Sequence, residues 1–134
     1  MKPSPDLLTP ENHALVIIDF QDQMAFAVES ISRSELRTNA GLVAGTSRIF
    51  NIPTVITTAN EKTFSGPVFP EIEEYYPQAT SSFTDRTTMN SWEDSATYKA
   101  IFATDRTKLV FAGLWTSVCI VDAVLSALAE GFEA

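Results

Sequence analysis

The stretch KLVFAGLWTSVCIVDAVLSALAEG, residues 108–131, decides the fold class. The stretch begins within an apolar run over 107–114, which is typical of a strand covered on both faces. A mostly apolar helix follows from about Ser117 to Glu130, and Gly131 stands where a helix commonly ends in a left-handed residue. A strand that runs directly into such a helix predicts a βαβ unit within a parallel sheet.

The rest of the chain alternates in the same way between apolar runs and helical patterns. The runs ALVIIDF (14–20) and IPTVITTA (52–59) predict two further strands. Ser32 and Glu35 have the spacing of a capping box, and a helical stripe of Leu36, Leu42, Val43 and Ile49 follows. We also expect a short acidic turn or helix over 70–76, and a helix over 91–105 with Ser91 as its N-cap. The sequence therefore predicts an α/β fold, with three α-β-α layers around a mostly parallel sheet, in a single domain over 1–134.

Composition narrows the class of partner and the compartment. Seventeen acidic and nine basic side chains give a net charge of −8, which argues against nucleic acid or an anionic membrane as the main partner. The single cysteine excludes an internal disulfide and fits a reducing compartment. The first residues do not resemble a signal peptide, and no uncharged apolar run is long enough to span a membrane. We therefore expect a soluble, cytoplasmic protein.

Two reactive residues follow predicted strands. Asp19 ends the first strand and Cys119 comes shortly after the last, and ligands of open parallel sheets bind at the carboxyl ends of the strands. Cys119 is either a buried core residue or a nucleophile whose thiolate is favoured by the start of a helix. Asp19 is either a general base or a carboxylate that holds a loop. Asp122, one helical turn beyond Cys119, stabilises the helix start or lines a pocket.

The only histidine of the chain does not complete a cysteine–histidine dyad. His13 precedes the first strand and lies at the wrong end of it for contact with Cys119. The lone histidine and scattered acids also give no metal-ligand spacing. We therefore expect no metal and no cofactor.

Four segments together resemble the isochorismatase-like cysteine hydrolases, which include nicotinamidases and N-carbamoylsarcosine amidases. They are ALVIIDFQ, IPTVITTA, DRTTMNSWED and KLVFAGLWTSVCIVDAVLSALAEGFE, and they cover nearly the whole chain in the order of the family. The last two are most similar to the YcaC-like branch. The resemblance implies the isochorismatase-like hydrolase fold and cleavage of a C–N bond in a small molecule.

The resemblance also implies the role of each site residue. Asp19 would take the thiol proton and Cys119 would attack a carbonyl carbon, forming a thioester that water then hydrolyses. The family lysine falls on Arg86, whose positive charge would stabilise the thiolate and orient Asp19, unless Arg86 only pairs with Asp85 on the surface. A cis peptide would join Leu114 to Trp115, and the backbone N–H groups of Trp115 and Cys119 would form the oxyanion hole.

Other positions depart from the family pattern or remain open. The metal-binding histidines of nicotinamidases are missing after the second strand, and Ser117 stands where the closest branch has a glutamate. Asp122 is one candidate for lining a substrate pocket. The others are four aromatic residues, any of which could instead be core: Phe20, Phe26, Trp92 and Trp115.

The family domain continues beyond the point where this sequence stops. The last strands of the sheet would be missing, which leaves the 107–114 strand at an unpaired edge and the last helix partly uncovered. We expect this sequence to be a fragment of a longer protein; the alternative is a short member of the family completed by oligomerisation. The partly uncovered apolar helix also predicts a homo-oligomer. Beside the amidase-like activity, two alternatives remain: hydrolysis of an isochorismate-like vinyl ether, and an inactive binding or assembly module of the same fold.

Overall fold

Four parallel strands form the middle layer of the chain. A computed structural model describes residues 4–78, 81 and 83–134. The strands are β1 (His13–Ile18), β2 (Thr54–Ala59), β3 (Phe83–Arg86) and β4 (Lys108–Gly113), and they lie in the sheet in the order β3-β2-β1-β4. The helices are α1 (Arg33–Ile49), α2 (Pro70–Glu73), α3 (Ser95–Phe102) and α4 (Val121–Ala129). Short 3-10 turns cover Met24–Ala27 and Ser91–Glu93, and π-helical turns cover Glu61–Ser65 and Thr116–Ile120.

The two faces of the sheet carry separate apolar cores. Along β1, Leu15 and Ile17 pack in the core shared with α1 and α2, whereas Val16 and Ile18 pack in the core shared with α3 and α4. Every residue of β1 is buried, because helices cover both faces and successive side chains point to opposite sides. This arrangement confirms the three-layer α-β-α prediction.

One strand was not predicted. Strands β1, β2 and β4 lie within the predicted apolar runs, apart from His13, which β1 adds at its start. Strand β3 has four residues, FTDR, which carry no apolar run. It is held by its pairing with β2, in which Thr57 is opposite Thr84 and Ala59 is opposite Arg86. The strand that carries Arg86 is therefore defined by its neighbour and not by its own composition.

Helix α1 begins as predicted but buries a different face. The hydroxyl of Ser32 accepts a hydrogen bond from the Glu35 N–H at 3.2 Å, which confirms the N-cap. The predicted apolar stripe is partly wrong, because Leu42 and Ile49 are exposed. Small residues take the buried face instead: a Cβ on Gly45 would lie 2.9 Å from the ring of Tyr75, so the absence of a side chain lets the segment after α2 pack closely against α1.

The predicted helix over 91–105 is two elements. Asn90 accepts a hydrogen bond from the Trp92 N–H at 3.0 Å and caps a short 3-10 turn. Asp94 accepts one from the Thr97 N–H at 2.8 Å and caps α3. The prediction of Ser91 as N-cap is therefore wrong, because the side chains on either side of it bind the free N–H groups.

The predicted helix over 117–130 begins with a π-helical turn, and regular α4 starts only at Val121. Its end is as predicted. Gly131 has a φ of 88°, and the Phe132 N–H donates to the Ala127 carbonyl at 3.1 Å, the pattern of a Schellman C-terminus.

Strand β4 lies at the edge of the sheet. Among the described residues, its outer side pairs near its start, where the Leu109 N–H donates to the Glu133 carbonyl at 2.8 Å and the Glu133 N–H donates to the Thr107 carbonyl at 2.9 Å. The outer face of α4 leaves Val121, Leu125 and Leu128 exposed. Across the part of the chain that the structure describes, no helix is long and apolar enough to cross a membrane.

Candidate active site

The chain turns sharply at Asp19, immediately after β1. This residue has a φ of 57°, in the left-handed region that aspartate tolerates better than most residues. The turn is held on both sides: the Asp19 N–H donates to the Thr57 carbonyl at 3.0 Å, and the Asp19 carbonyl accepts from the Gln21 N–H at 2.7 Å. The Asp19 side chain is fully buried at the carboxyl edge of the sheet.

Arg86, the last residue of β3, is the partner of this carboxylate. Its Nη1 and Nη2 donate to the two oxygens of Asp19 at 2.7 Å each, and neither side chain has any exposed surface. A bidentate, charge-assisted salt bridge of this kind fixes both side chains in position. Asp85 is occupied elsewhere, because it accepts hydrogen bonds from the Thr58 hydroxyl and the Glu61 N–H. The alternative of a surface Arg86–Asp85 pair is therefore wrong.

Cys119 reaches the same edge from the far side of β1. It lies in the π-helical turn after β4 and is 2% exposed. The ends of β1 and β4 converge because Gly113 has no side chain; a Cβ there would lie 2.0 Å from the Ile18 carbonyl oxygen. The peptide bond between Leu114 and Trp115 is cis, as the resemblance predicts.

The charges around Cys119 determine its protonation. Burial raises the pKa of the thiol, and Asp19 raises it further by accepting a hydrogen bond from the thiol and by its negative charge. The charge of Arg86 and the backbone N–H of Trp115 act in the opposite direction, and the balance raises the pKa to about 11. The effect expected from the helix start is therefore outweighed in the resting site by burial and by Asp19. The arrangement is a neutral thiol beside a carboxylate that an arginine holds in place.

A family model, the isochorismatase domain, matches residues 13–134. The chain belongs to the isochorismatase family. It is 30% identical over 126 residues to the probable hydrolase YcaC of Escherichia coli K12, a match that covers 94% of this chain and 60% of the relative. This chain therefore spans less than two thirds of the length of that relative.

Two solved YcaC structures are similar to this isochorismatase domain. YcaC from Pseudomonas aeruginosa, solved with hexane-2,5-diol and covalent acrylamide, is 32% identical with a TM-score of 0.89. The E. coli YcaC structure, described as an octameric hydrolase of unknown specificity, is 30% identical with the same TM-score. Each match covers 98% of this chain and 64% of the solved chain.

A supporting residue of the domain, Gln21, was not singled out in the sequence. Its side-chain amide donates to the Gly66 carbonyl at 2.6 Å and its Oε1 accepts from the Ala59 N–H at 2.8 Å, in a fully buried position. These bonds tie the turn after Asp19 to the end of β2 and to the loop that follows β2. The only sequence signal for Gln21 is its position, directly after the apolar run that contains Asp19. That position alone does not indicate that the amide is buried.

The structure does not assemble the five predicted pocket residues into one cavity. Trp115 lines a cavity of about 450 Å³ with residues of the 27–31 loop, and its indole N–H donates to the Met24 carbonyl at 3.1 Å. Phe26 is 71% exposed and lies under the guanidinium of Arg33.

The other three candidates lie apart from this cavity. Phe20 is buried against Phe69 in the core beneath α1. Trp92 is buried in the opposite core, and its indole N–H donates to Glu130 at 2.9 Å. Asp122 is exposed on the first turn of α4.

Proposed function

We propose that this domain is a cysteine hydrolase that cleaves the C–N bond of a small amide. The observation that carries the proposal is the placement of one buried carboxylate, Asp19, against both the Cys119 thiol and the Arg86 guanidinium. A neutral thiol beside an oriented base is poised for attack coupled to proton transfer.

The first half of the reaction forms a thioester. Asp19 takes the thiol proton while the sulfur of Cys119 attacks the amide carbon, and the carbonyl oxygen becomes an oxyanion. The backbone N–H groups of Trp115 and Cys119 stabilise that oxyanion. The C–N bond then breaks as Asp19 returns the proton to the nitrogen, and ammonia or an amine leaves.

The second half releases the acid. Asp19 takes a proton from water, the resulting hydroxide attacks the thioester carbon, and the C–S bond breaks with return of the proton to sulfur. Arg86 keeps its charge throughout, because a guanidinium does not give up its proton in proteins. Its role is to hold Asp19 and to offset the negative charge that develops on sulfur.

A relative supports the presence of a reactive nucleophile. YcaC from P. aeruginosa, at 32% identity, was solved with covalent acrylamide, which requires a protein group that reacts with an electrophile. For this chain we propose Cys119 as that group.

The test is a screen of small primary amides for ammonia release, followed by intact-mass analysis of the protein quenched during turnover. We expect an acyl adduct that hydroxylamine removes, and loss of both adduct and turnover in Cys119→Ala and Asp19→Asn. Asp85→Asn is the matched control, because it removes a neighbouring carboxylate outside the site. Turnover that persists in Cys119→Ala would instead favour vinyl-ether hydrolysis, and no adduct with any amide would favour an inactive binding module.

We further propose that the protein assembles with copies of itself in the cytoplasm. The related E. coli YcaC is described as octameric, and α4 exposes Val121, Leu125 and Leu128 on one side. Light scattering coupled to size exclusion checks the assembly, and a monomer at micromolar concentration would refute it.

A further inference from the structure

A chain of buried threonine hydroxyls leads away from Arg86 towards helix α3. Beside its contacts with Asp19, Nη1 of Arg86 donates to the Thr57 hydroxyl at 3.2 Å. The Thr57 hydroxyl lies 3.3 Å from the Thr97 hydroxyl on α3, and the Thr97 hydroxyl lies 2.9 Å from the carboxylate of Asp94. Both threonines are buried, with exposed fractions of 1% and 0%.

The sheet register brings these groups together. Thr57 is opposite Thr84 in the β2–β3 pair, and Thr84 and Arg86 share a face of β3 because they are two residues apart. Thr97 is in the first turn of α3, whose N-cap is Asp94. The Thr84 hydroxyl completes the cluster at 2.7 Å from that of Thr97.

The chemistry of the end groups fixes the direction of the bonds that they make. A guanidinium only donates, so Thr57 accepts from Arg86, and its single proton is shared between the Thr84 carbonyl at 3.0 Å and the Thr97 hydroxyl at 3.3 Å. A carboxylate only accepts, so Thr97 donates to Asp94 and accepts from Thr84. The Thr57 and Thr97 hydroxyls therefore connect the buried cation to a second carboxylate.

We propose that Thr57 and Thr97 are positioning residues that, together with Asp94, orient Arg86 towards Asp19. The other acceptors of the guanidinium are backbone carbonyls, those of Thr58 at 3.2 Å and Met89 at 3.3 Å. The hydroxyl chain links the guanidinium to a negative charge on the helical layer. Hydrogen bonds in a low-dielectric interior polarise one another, so the chain restrains Arg86 more firmly than one neutral contact does.

The inference rests on the proposed role of Arg86 at the thiol, but its test does not require a substrate. Arg86 lowers the pKa of Cys119, so a poorly held guanidinium leaves the thiol less ionised at a given pH. The rate of Cys119 alkylation by iodoacetamide at pH 8.5 measures this directly. Asp19 and Arg86 are the two charged groups that act on the thiol.

We expect Thr57→Val and Thr97→Val to lower the alkylation rate constant about three- to tenfold, which corresponds to one net hydrogen bond. Thr57→Ser and Thr97→Ser keep the hydroxyl and should stay within about twofold of the unmodified protein, a difference below the free energy of one such bond. Asp94→Asn keeps the cap and removes the charge, so we expect a smaller decrease in the same direction.

Thr54→Val is the matched control. Thr54 is on the same strand, and its hydroxyl also makes two bonds, to the Ile52 carbonyl at 2.9 Å and from the Tyr76 hydroxyl at 3.1 Å, at the opposite end of β2. We expect its melting temperature to fall as in Thr57→Val, with no change in alkylation. An equal decrease in Thr54→Val would mean that general loosening of the fold controls the thiol, and would overturn the inference.

Arg86→Gln separates the two proposals, because it removes the charge that acts on the thiol. If Arg86→Gln slows alkylation while both valine variants react as the unmodified protein does, the hydroxyl chain has no positioning role and the proposed site stands. If neither Arg86→Gln nor the valine variants change the rate, the charge of Arg86 does not act on the thiol, and both proposals lose their basis.

Discussion

Replacing Arg86 by methionine removes the cation from a buried pair and leaves the Asp19 carboxylate without its partner. Both side chains have no exposed surface and meet through two contacts of 2.7 Å. Removing one member of such a pair costs about 3–5 kcal/mol of folding free energy, because the other charge stays buried. A domain of this size is stable by roughly 5–15 kcal/mol, so Arg86→Met removes a large share of the total.

Urea unfolding at pH 7, followed by circular dichroism and tryptophan fluorescence, measures this loss. A double-mutant cycle with Asp19→Asn isolates the pair, and we expect the double variant to be more stable than the sum of the single effects predicts. Arg37→Met is the control, because Arg37 contacts Glu71 at 3.0 Å in a half-exposed pair that we expect to contribute less than about 1 kcal/mol. Equal losses in the two arginine variants would refute the argument that burial gives the Arg86 contact its importance.

Four other predictions follow from contacts described above. The rate of Cys119 alkylation should keep rising with pH up to about 10.5, because the pKa of the thiol is raised to about 11. Asp19→Asn should shift this pH profile to lower pH, because it removes the group that accepts the thiol proton. A plateau near pH 8.5 in the unmodified protein would contradict this prediction. The raised pKa of Cys119 stabilises the fold below the pKa of the unfolded thiol. That contribution, about 2–3 kcal/mol at 1.36 kcal/mol per unit, is lost as pH rises from about 9 to about 11. Urea midpoints should therefore fall across this range, and fall less in Cys119→Ala; parallel curves would exclude the linkage. Gly113→Ala should lower the free energy of unfolding by more than about 1 kcal/mol in the same urea assay and change the rate of Cys119 alkylation, because the new Cβ would lie 2.0 Å from the Ile18 carbonyl oxygen. An unchanged free energy of unfolding would show that the ends of β1 and β4 can separate without cost. Gln21→Leu leaves the Gly66 carbonyl and the Ala59 N–H without their partner, so we expect calorimetry to show a melting temperature several degrees lower. The melting temperature of Gln21→Glu should be intermediate, since one carboxylate oxygen can still accept from the Ala59 N–H.

The strands that make the core were predictable from the sequence, whereas the strand that carries the cation was not. Apolar runs mark β1, β2 and β4 because both faces of a covered parallel sheet are buried. Strand β3 is polar because it is short and lies at the sheet edge, and one of its side chains serves the site. Its position follows from pairing with β2, which a local pattern does not contain.

The residues of the candidate site were named one by one from the sequence, but the balance of the electrostatic interactions among them was not predicted. The prediction that the Cys119 thiolate is favoured rested on the start of a helix and on the positive charge of Arg86. Burial and the approach of Asp19, a hundred residues earlier in the chain, reverse that effect. The predicted pocket residues lie apart for a related reason. The sequence does not say which face of the sheet a residue such as Trp92 joins, and the Trp92 indole N–H donates to Glu130.

The strand order β3-β2-β1-β4 has a consequence for the order of events during folding. Asp19 and Arg86 meet once β1, β2 and β3 have paired, and these strands follow one another along the chain. The nucleophile enters only with β4, which must return from the far end of the chain to pair with β1, and such distant pairings form slowly. We therefore expect a partly folded population in which the charged pair exists without the thiol. The rate at which Cys119 becomes protected from alkylation during refolding would then measure the pairing of β4 with β1, the last step in forming the site.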